Sequence, residues 1–184
     1  RTSIIRAGAA IGTDKNINRS SDILALLMMQ SGATMTDKEQ NRASFDDLVR
    51  EEGRDAYSIG DIAFQFYTDF ANPAKTVYTW NPALDYSIEM FYQGRAAMMF
   101  NYSYHIPTIK SKAAKLNFAV APMPQISGTT RPVNYANYWA MTVSAGSDKK
   151  NAAWEFLTYV SNPEITKKYI EKAKRPIAQR ELVD

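Results

Sequence analysis

Three groups of residues in this 184-residue chain carry side chains able to do chemistry. The first is the run Asn101, Tyr102, Ser103 and Tyr104, directly ahead of the chain's one histidine, His105. Tyrosine rings present flat apolar faces, and an asparagine amide both donates and accepts, so this run suits the holding of a small molecule. The second is a set of carboxylates, Asp85 with Glu89 at four-residue spacing and Asp46-Asp47 with Glu51-Glu52. Paired acids can hydrolyse glycosides, but that reaction needs them on opposite sides of a cleft, and neighbours on one helix face are better read as solvated. No motif fixes a nucleophile beside His105, which reads as a surface or capping residue. The third group is basic, comprising Lys167, Lys168, Lys172, Lys174 and Arg175, yet Glu164 and Glu171 sit inside it at helical spacing. That is the pattern of a solvated helix rather than a nucleic-acid patch.

Composition narrows the classes further. A net charge of +3 hides a mixed distribution, because the first 74 residues hold 8 basic and 11 acidic side chains. No nucleic-acid partner is expected. The absence of cysteine excludes disulfides and thiolate metal sites, and a single histidine excludes histidine-rich metal clusters. No phosphate loop, dinucleotide fingerprint or nucleophile elbow occurs, so no cofactor is expected. Hydrophobic residues at 45% and charged ones at 22% fit one globular domain's core, and no segment reaches the roughly 20 apolar residues of a membrane span. The chain opens on Arg1-Thr2-Ser3-Ile4-Ile5, as the interior of a longer polypeptide would.

The elements that must position these groups follow from periodicity and punctuation. Gly94 suits the left-handed residue after a helix end, and the apolar run 96–100 is short enough for a strand covered on both faces. Asn101, Tyr102 and Tyr104 then fall at the mouth of an α/β sheet, where small molecules bind. Runs 116–121 and 138–143 read as two further strands. Helices are expected from Ser20 to Gly32, over 59–70 with Ile59, Ile62, Ala63, Phe66, Tyr67 and Phe70 on one face, and over 83–93. Ser103 caps another with Pro107 in its first turn; the last two are 148–161, with Ala152, Ala153, Phe156, Leu157 and Val160 on one face, and one opening at Pro163. Residues 44–55 read as a short surface helix or a loop. Strands alternating with helices indicate an α/β fold.

Four motifs in order resemble a known family. They are Gln93-Gly94-Arg95-Ala96-Ala97-Met98-Met99, Asn117-Phe118-Ala119-Val120-Ala121-Pro122-Met123-Pro124, the run Trp139 to Ser144, and Asn151-Ala152-Ala153-Trp154-Glu155-Phe156-Leu157. In order and spacing they are similar to the extracellular solute-binding proteins of ABC importers, nearest to the sugar-binding, maltodextrin-like family 1; Ala10-Ile11-Gly12-Thr13 is similar too. The resemblance implies a single lobe of a type II periplasmic-binding-protein fold, a small central β-sheet flanked by helices. Residues 1–184 would be the C-terminal lobe of a two-lobe protein, without the N-terminal lobe and the final helices.

The implied function is to bind a carbohydrate by domain closure and deliver it to membrane permease subunits, as a monomer and without catalysis. The implied location is extracytoplasmic, in a periplasm or lipid-anchored at the outer face of the cytoplasmic membrane. Sugar recognition wants flat aromatic faces for C–H surfaces and amides for hydroxyls, so the expected ligand residues are Trp80, Asn101, Tyr102, Tyr104, Asn137, Tyr138, Trp139 and Arg175. Tyr104 stands where the family often places a stacking aromatic. Strand alternation would send one of Tyr138 and Trp139 into the core, and Trp80, before Pro82, is expected to be exposed. The alternatives are a carbohydrate-active hydrolase domain using His105 with Asp85 or Glu89, or a binding protein for a non-sugar solute.

Overall fold

The computed structural model describes residues 4–173 and Leu182. The described residues fall into two compact units, divided between Ala136 and Asn137. The first is α/β, and its core is built on two parallel strands, β1 (Ala7–Ala10) and β4 (Ala96–Met99), with Ala7 opposite Ala96 and Ala9 opposite Met98. Between them in sequence run α1 (Ser20–Gln30), a two-stranded antiparallel ribbon of β2 (Leu48–Val49) and β3 (Tyr57–Ser58), α2 (Ile59–Asp69) and α3 (Ser87–Tyr92). After β4 a 3-10 turn (Ser103–His105) leads into α4 (Ile106–Lys112), whose Pro107 lies in the first turn where its missing N–H costs nothing.

The expected stop between α3 and β4 is present. Gly94 adopts φ 67°, and the Arg95 amide donates to the Met90 carbonyl at 2.8 Å, which closes the helix end and turns the chain into the sheet. β1 was not evident from the sequence, because Ala-Gly-Ala-Ala carries no β-branched or aromatic residue. It is held by its ladder with β4 and, on its other edge, by Thr79, whose hydroxyl accepts from the Gly8 amide at 2.7 Å. Ile11, Ile17, Ile23, Tyr67, Trp80 and Met90 form one core cluster with Ala7, Ala9 and Ala10 of β1 and Ala96 of β4.

Several expected elements differ. Residues 44–55 are neither helix nor plain loop, since Leu48–Val49 pair with Tyr57–Ser58. Helix α2 turns Gly60, Ala63 and Tyr67 inward and leaves Ile62 and Phe66 exposed; the inward face is set by Gly60, which meets the Phe45 carbonyl so closely that a Cβ there would lie 2.1 Å from its oxygen. Residues 116–121 form no strand. A strand exists only through a partner, and among the described residues β4 pairs with β1 alone; an apolar groove of about 760 Å³ is lined by both β4 and residues 116–124, and Val120 is exposed.

The second unit contains α5 (Lys150–Val160) and α6 (Pro163–Ala173), the latter opening on Pro163 as expected. Residues 138–143 are not in a ladder. The α5 face expected to be buried is not, and Phe156 is exposed, because these helices bury no residue fully among those described.

Candidate functional site

The two strands are parallel, so the loops that follow them leave the same end of the sheet. The loop after β1 carries Asn16, Asn18 and Arg19 into α1; the loop after β4 carries Asn101, Tyr102 and Tyr104 toward α4. This is the carboxyl edge of a parallel sheet, where backbone leaves room for a ligand. The Asn18 amide ties the loops together, with Nδ2 donating to Asn101 Oδ1 at 3.2 Å and to His105 Nε2 at 3.3 Å while Oδ1 accepts from the Tyr86 hydroxyl at 3.1 Å. Because an amide nitrogen only donates, His105 Nε2 is the acceptor and the imidazole is neutral. Burial, reinforced by the Arg19 charge, pushes the His105 pKa below its ordinary value.

The aromatic side of the site is a shelf. Tyr102 and Tyr104 stack with ring centroids 5.9 Å apart and planes 17° from parallel, and Tyr104 lies 4.3 Å from the His105 ring. The Arg19 guanidinium sits 5.3 Å over the Tyr102 ring and donates to the Tyr104 hydroxyl at 3.1 Å. The Tyr102 hydroxyl donates to Asp22 Oδ2 at 2.7 Å. Arg19, the residue before α1, holds a left-handed backbone at φ 62°, an unfavourable state for a side chain of its size. Beside the shelf a cavity of about 130 Å³ is lined by Arg19, Asp22, Phe100, Asn101, Tyr102 and Tyr135, among others. The arrangement offers flat apolar rings next to amide, guanidinium and carboxylate groups, which is equipment for binding a polar molecule.

A family model for bacterial extracellular solute-binding proteins matches residues 8–183. The chain belongs to that family. It is a family of binding proteins rather than of enzymes, and its name sets an extracytoplasmic location. Among solved structures, this solute-binding chain is similar to an ABC transporter solute-binding protein from Thermotoga lettingae TMO, bound with alpha-D-tagatose. The two are 17% identical with a TM-score of 0.57, over 94% of this chain and 41% of that one, so the present chain spans less than half of that protein's length. The likeness shows a shared α/β fold. No curated protein sequence matches.

Within the solute-binding chain, the structure brings Asn101, Tyr102 and Tyr104 together as the strand–loop reading anticipated. Trp80 is corrected. It is fully buried at 0% exposure, packed in the core, with its indole Nε1 donating to Asn16 Oδ1 at 3.1 Å. The turn at Pro82 does not expose it, because Asn16 satisfies the one polar atom that would otherwise keep the ring in water. Tyr138 and Trp139 are both exposed, at 73% and 93%, so neither is a core residue; alternation sends one side chain inward only in a strand packed on a core. They belong with Asn137 to the second unit. Arg175 lies outside the described residues. Asp85 is engaged by Arg95 at 2.7 Å and is exposed. Asn18, Arg19 and Asp22 were missed from the sequence; the signal available was a loop leaving β1 for a helix, which only a recognised β1 would have revealed.

Proposed function

We propose that the chain is the C-terminal lobe of a two-lobe ABC importer binding protein, which takes up a sugar by closing two lobes on it and presents it to membrane permease subunits. The observation that carries this reading is the tyrosine shelf at the carboxyl edge of the parallel sheet, flanked by Asn18, Asn101, Arg19 and Asp22. Pyranose rings offer C–H faces to such a shelf and hydroxyls to such partners, and the similar solved protein is bound with alpha-D-tagatose. Tyr104 is exposed at 41%, and Asn101 lines the cavity beside the shelf. We keep Asn137, Tyr138, Trp139 and Arg175 as further ligand candidates on the family resemblance alone. No chemistry is required of such a protein, since a preference for solute in the closed state is enough to drive closure. We place it outside the cytoplasm as a monomer, in a periplasm or held by a lipid at the outer face of the cytoplasmic membrane.

The test is calorimetric titration of the intact two-lobe protein with monosaccharides and oligosaccharides, alongside Tyr104→Ala. Binding of one sugar per protein without product is expected, weakened about three- to tenfold by the variant, the range that an aromatic contact of about 0.5–1.5 kcal/mol gives. No heat with any sugar, or release of a hydrolysed product, would overturn the reading.

A further inference from the structure

We propose that Asp22, on the first turn of α1, accepts hydroxyl hydrogens from the solute and makes the site selective for uncharged polyhydroxyl compounds over their carboxylate counterparts. The inference rests on the sugar-binding reading above. A carboxylate offers about four acceptor positions. Asp22, whose side chain is only 16% exposed, fills few of them among the described residues: the Tyr102 hydroxyl donates to Oδ2 at 2.7 Å, the Ser21 hydroxyl approaches Oδ1 at a long 3.4 Å, and the Arg19 guanidinium stands 3.8 Å away, outside hydrogen-bond reach. A mostly buried carboxylate with spare acceptor capacity is costly unless something donates to it.

The 130 Å³ cavity that Asp22 lines is where a donor would stand. Asn101, lining the same cavity, adds the complementary deficit: its Nδ2 is buried and is the one buried side-chain polar atom without a hydrogen-bond partner among the described residues, although its Oδ1 is well used by Asn18 and the Tyr102 amide. An acceptor in want of donors and a donor in want of an acceptor match neighbouring hydroxyls, each of which gives one hydrogen and accepts another. A solute carboxylate has no hydrogen to give Asp22 and brings like charge to it. The Arg19 guanidinium lines the same cavity but already stands against the Asp22 charge, so a solute carboxylate would make two anions share one cation, and neutral His105 adds no positive charge.

The experiment titrates the intact protein with matched pairs, D-glucose against D-glucuronate and D-galactose against D-galacturonate, with D-tagatose and maltose as further neutral probes, in the wild type and in Asp22→Asn. The wild type is expected to prefer the neutral member of whichever pair binds by about tenfold or more, the scale of one hydrogen bond to a charged group. Asp22→Asn, which keeps an acceptor for Tyr102, is expected to weaken neutral-sugar binding by a similar factor and to close the gap to the uronate. A uronate bound as tightly as its neutral partner by the wild type would overturn the inference, and that ratio needs no variant to fold. Sugar binding unaltered in a folded Asp22→Asn would also overturn it while leaving the sugar reading standing. If no probe binds the wild type, the sugar reading falls and this inference falls with it.

Discussion

Trp80 separates a core role from a binding role by a measurable margin. Its side chain is fully buried, and a tryptophan removes about 150–250 Å² from water, worth about 4–6 kcal/mol at about 25 cal/mol per Å². Truncation retains the Ala portion and allows some collapse, so Trp80→Ala is expected to cost about 3–5 kcal/mol. Trp80→Phe keeps most of the ring and loses the bond from Nε1 to Asn16 Oδ1. That oxygen still accepts from the Thr13 hydroxyl, and Asn16 Nδ2 still donates to the carbonyls of Asn81 and Leu84 at 2.9 and 3.0 Å, so no polar atom of Asn16 is stranded. The cost of Trp80→Phe is then about 2 kcal/mol, one neutral hydrogen bond plus the missing ring atoms. At about 2–4 °C per kcal/mol for a domain of this size, the two variants should lower Tm by about 6–20 °C and about 4–8 °C. Urea titration should show the same order as a fall in midpoint at constant slope. Well below its melting point, Trp80→Phe should bind solute as the wild type does. Two variants that melt with the wild type but bind solute poorly would refute the core assignment and return Trp80 to the ligand site.

Two further outcomes test the scaffold around the site. Gly60→Ala places a Cβ 2.1 Å from the Phe45 carbonyl oxygen, a backbone atom that cannot swing aside, so the start of α2 must shift; we expect a loss of about 1–3 kcal/mol, read as a lower urea midpoint. The His105 pKa is depressed by burial first and by Arg19 second, so the unfolded chain binds this proton more tightly than the folded one. Stability should therefore be full above the ordinary histidine value near 6.5 and fall as pH drops below it, levelling once the folded imidazole has titrated. NMR titration of the His105 ring should give a midpoint below that ordinary value, and loss of this acid sensitivity in His105→Gln would confirm its source, whereas a midpoint above it would refute the neutral acceptor role toward Asn18.

What could be read from the sequence was what is local. Gly94 ends α3 because only its own backbone and the preceding turn are involved, and Pro163 opens α6 for the same reason. The strand at Ala96–Met99 was legible because it is an apolar run with a marked start, and it carried Asn101, Tyr102 and Tyr104 to their place, but it is not covered on both faces as expected, since Met98 is exposed. Everything that depended on a distant partner was not. Ala7–Ala10 becomes a strand through a neighbour 89 positions along the chain, as the Ala7–Ala96 register shows, and residues 116–121 and 138–143 have strand composition without a ladder. Trp80 was misplaced for a related reason, since its burial is licensed by Asn16, 64 residues away. With β1 unseen, the loop after it could not be set at the same sheet edge, and Asn18, Arg19 and Asp22 stayed hidden.

The geometry of this edge bears on how the proposed closure would work. Tyr104 is 41% exposed and the Arg19 side chain 33%, so this lobe presents one open face of a site rather than an enclosed pocket. A solute held only by the shelf and by Asp22 would meet the same groups in the open and the closed protein. Equal contacts in both states shift no equilibrium, however tight they are. On the two-lobe proposal the contacts that favour closure must therefore come from the second lobe, which would cover the exposed ring of Tyr104. On this reading the lobe described here sets which solute is accepted, through ring faces and hydroxyl partners, and the opposite lobe supplies the free energy of closure. Variants at Asp22 or Asn101 should then alter solute preference with the closed fraction at saturation unchanged, a combination that scattering of the saturated protein together with calorimetry can resolve.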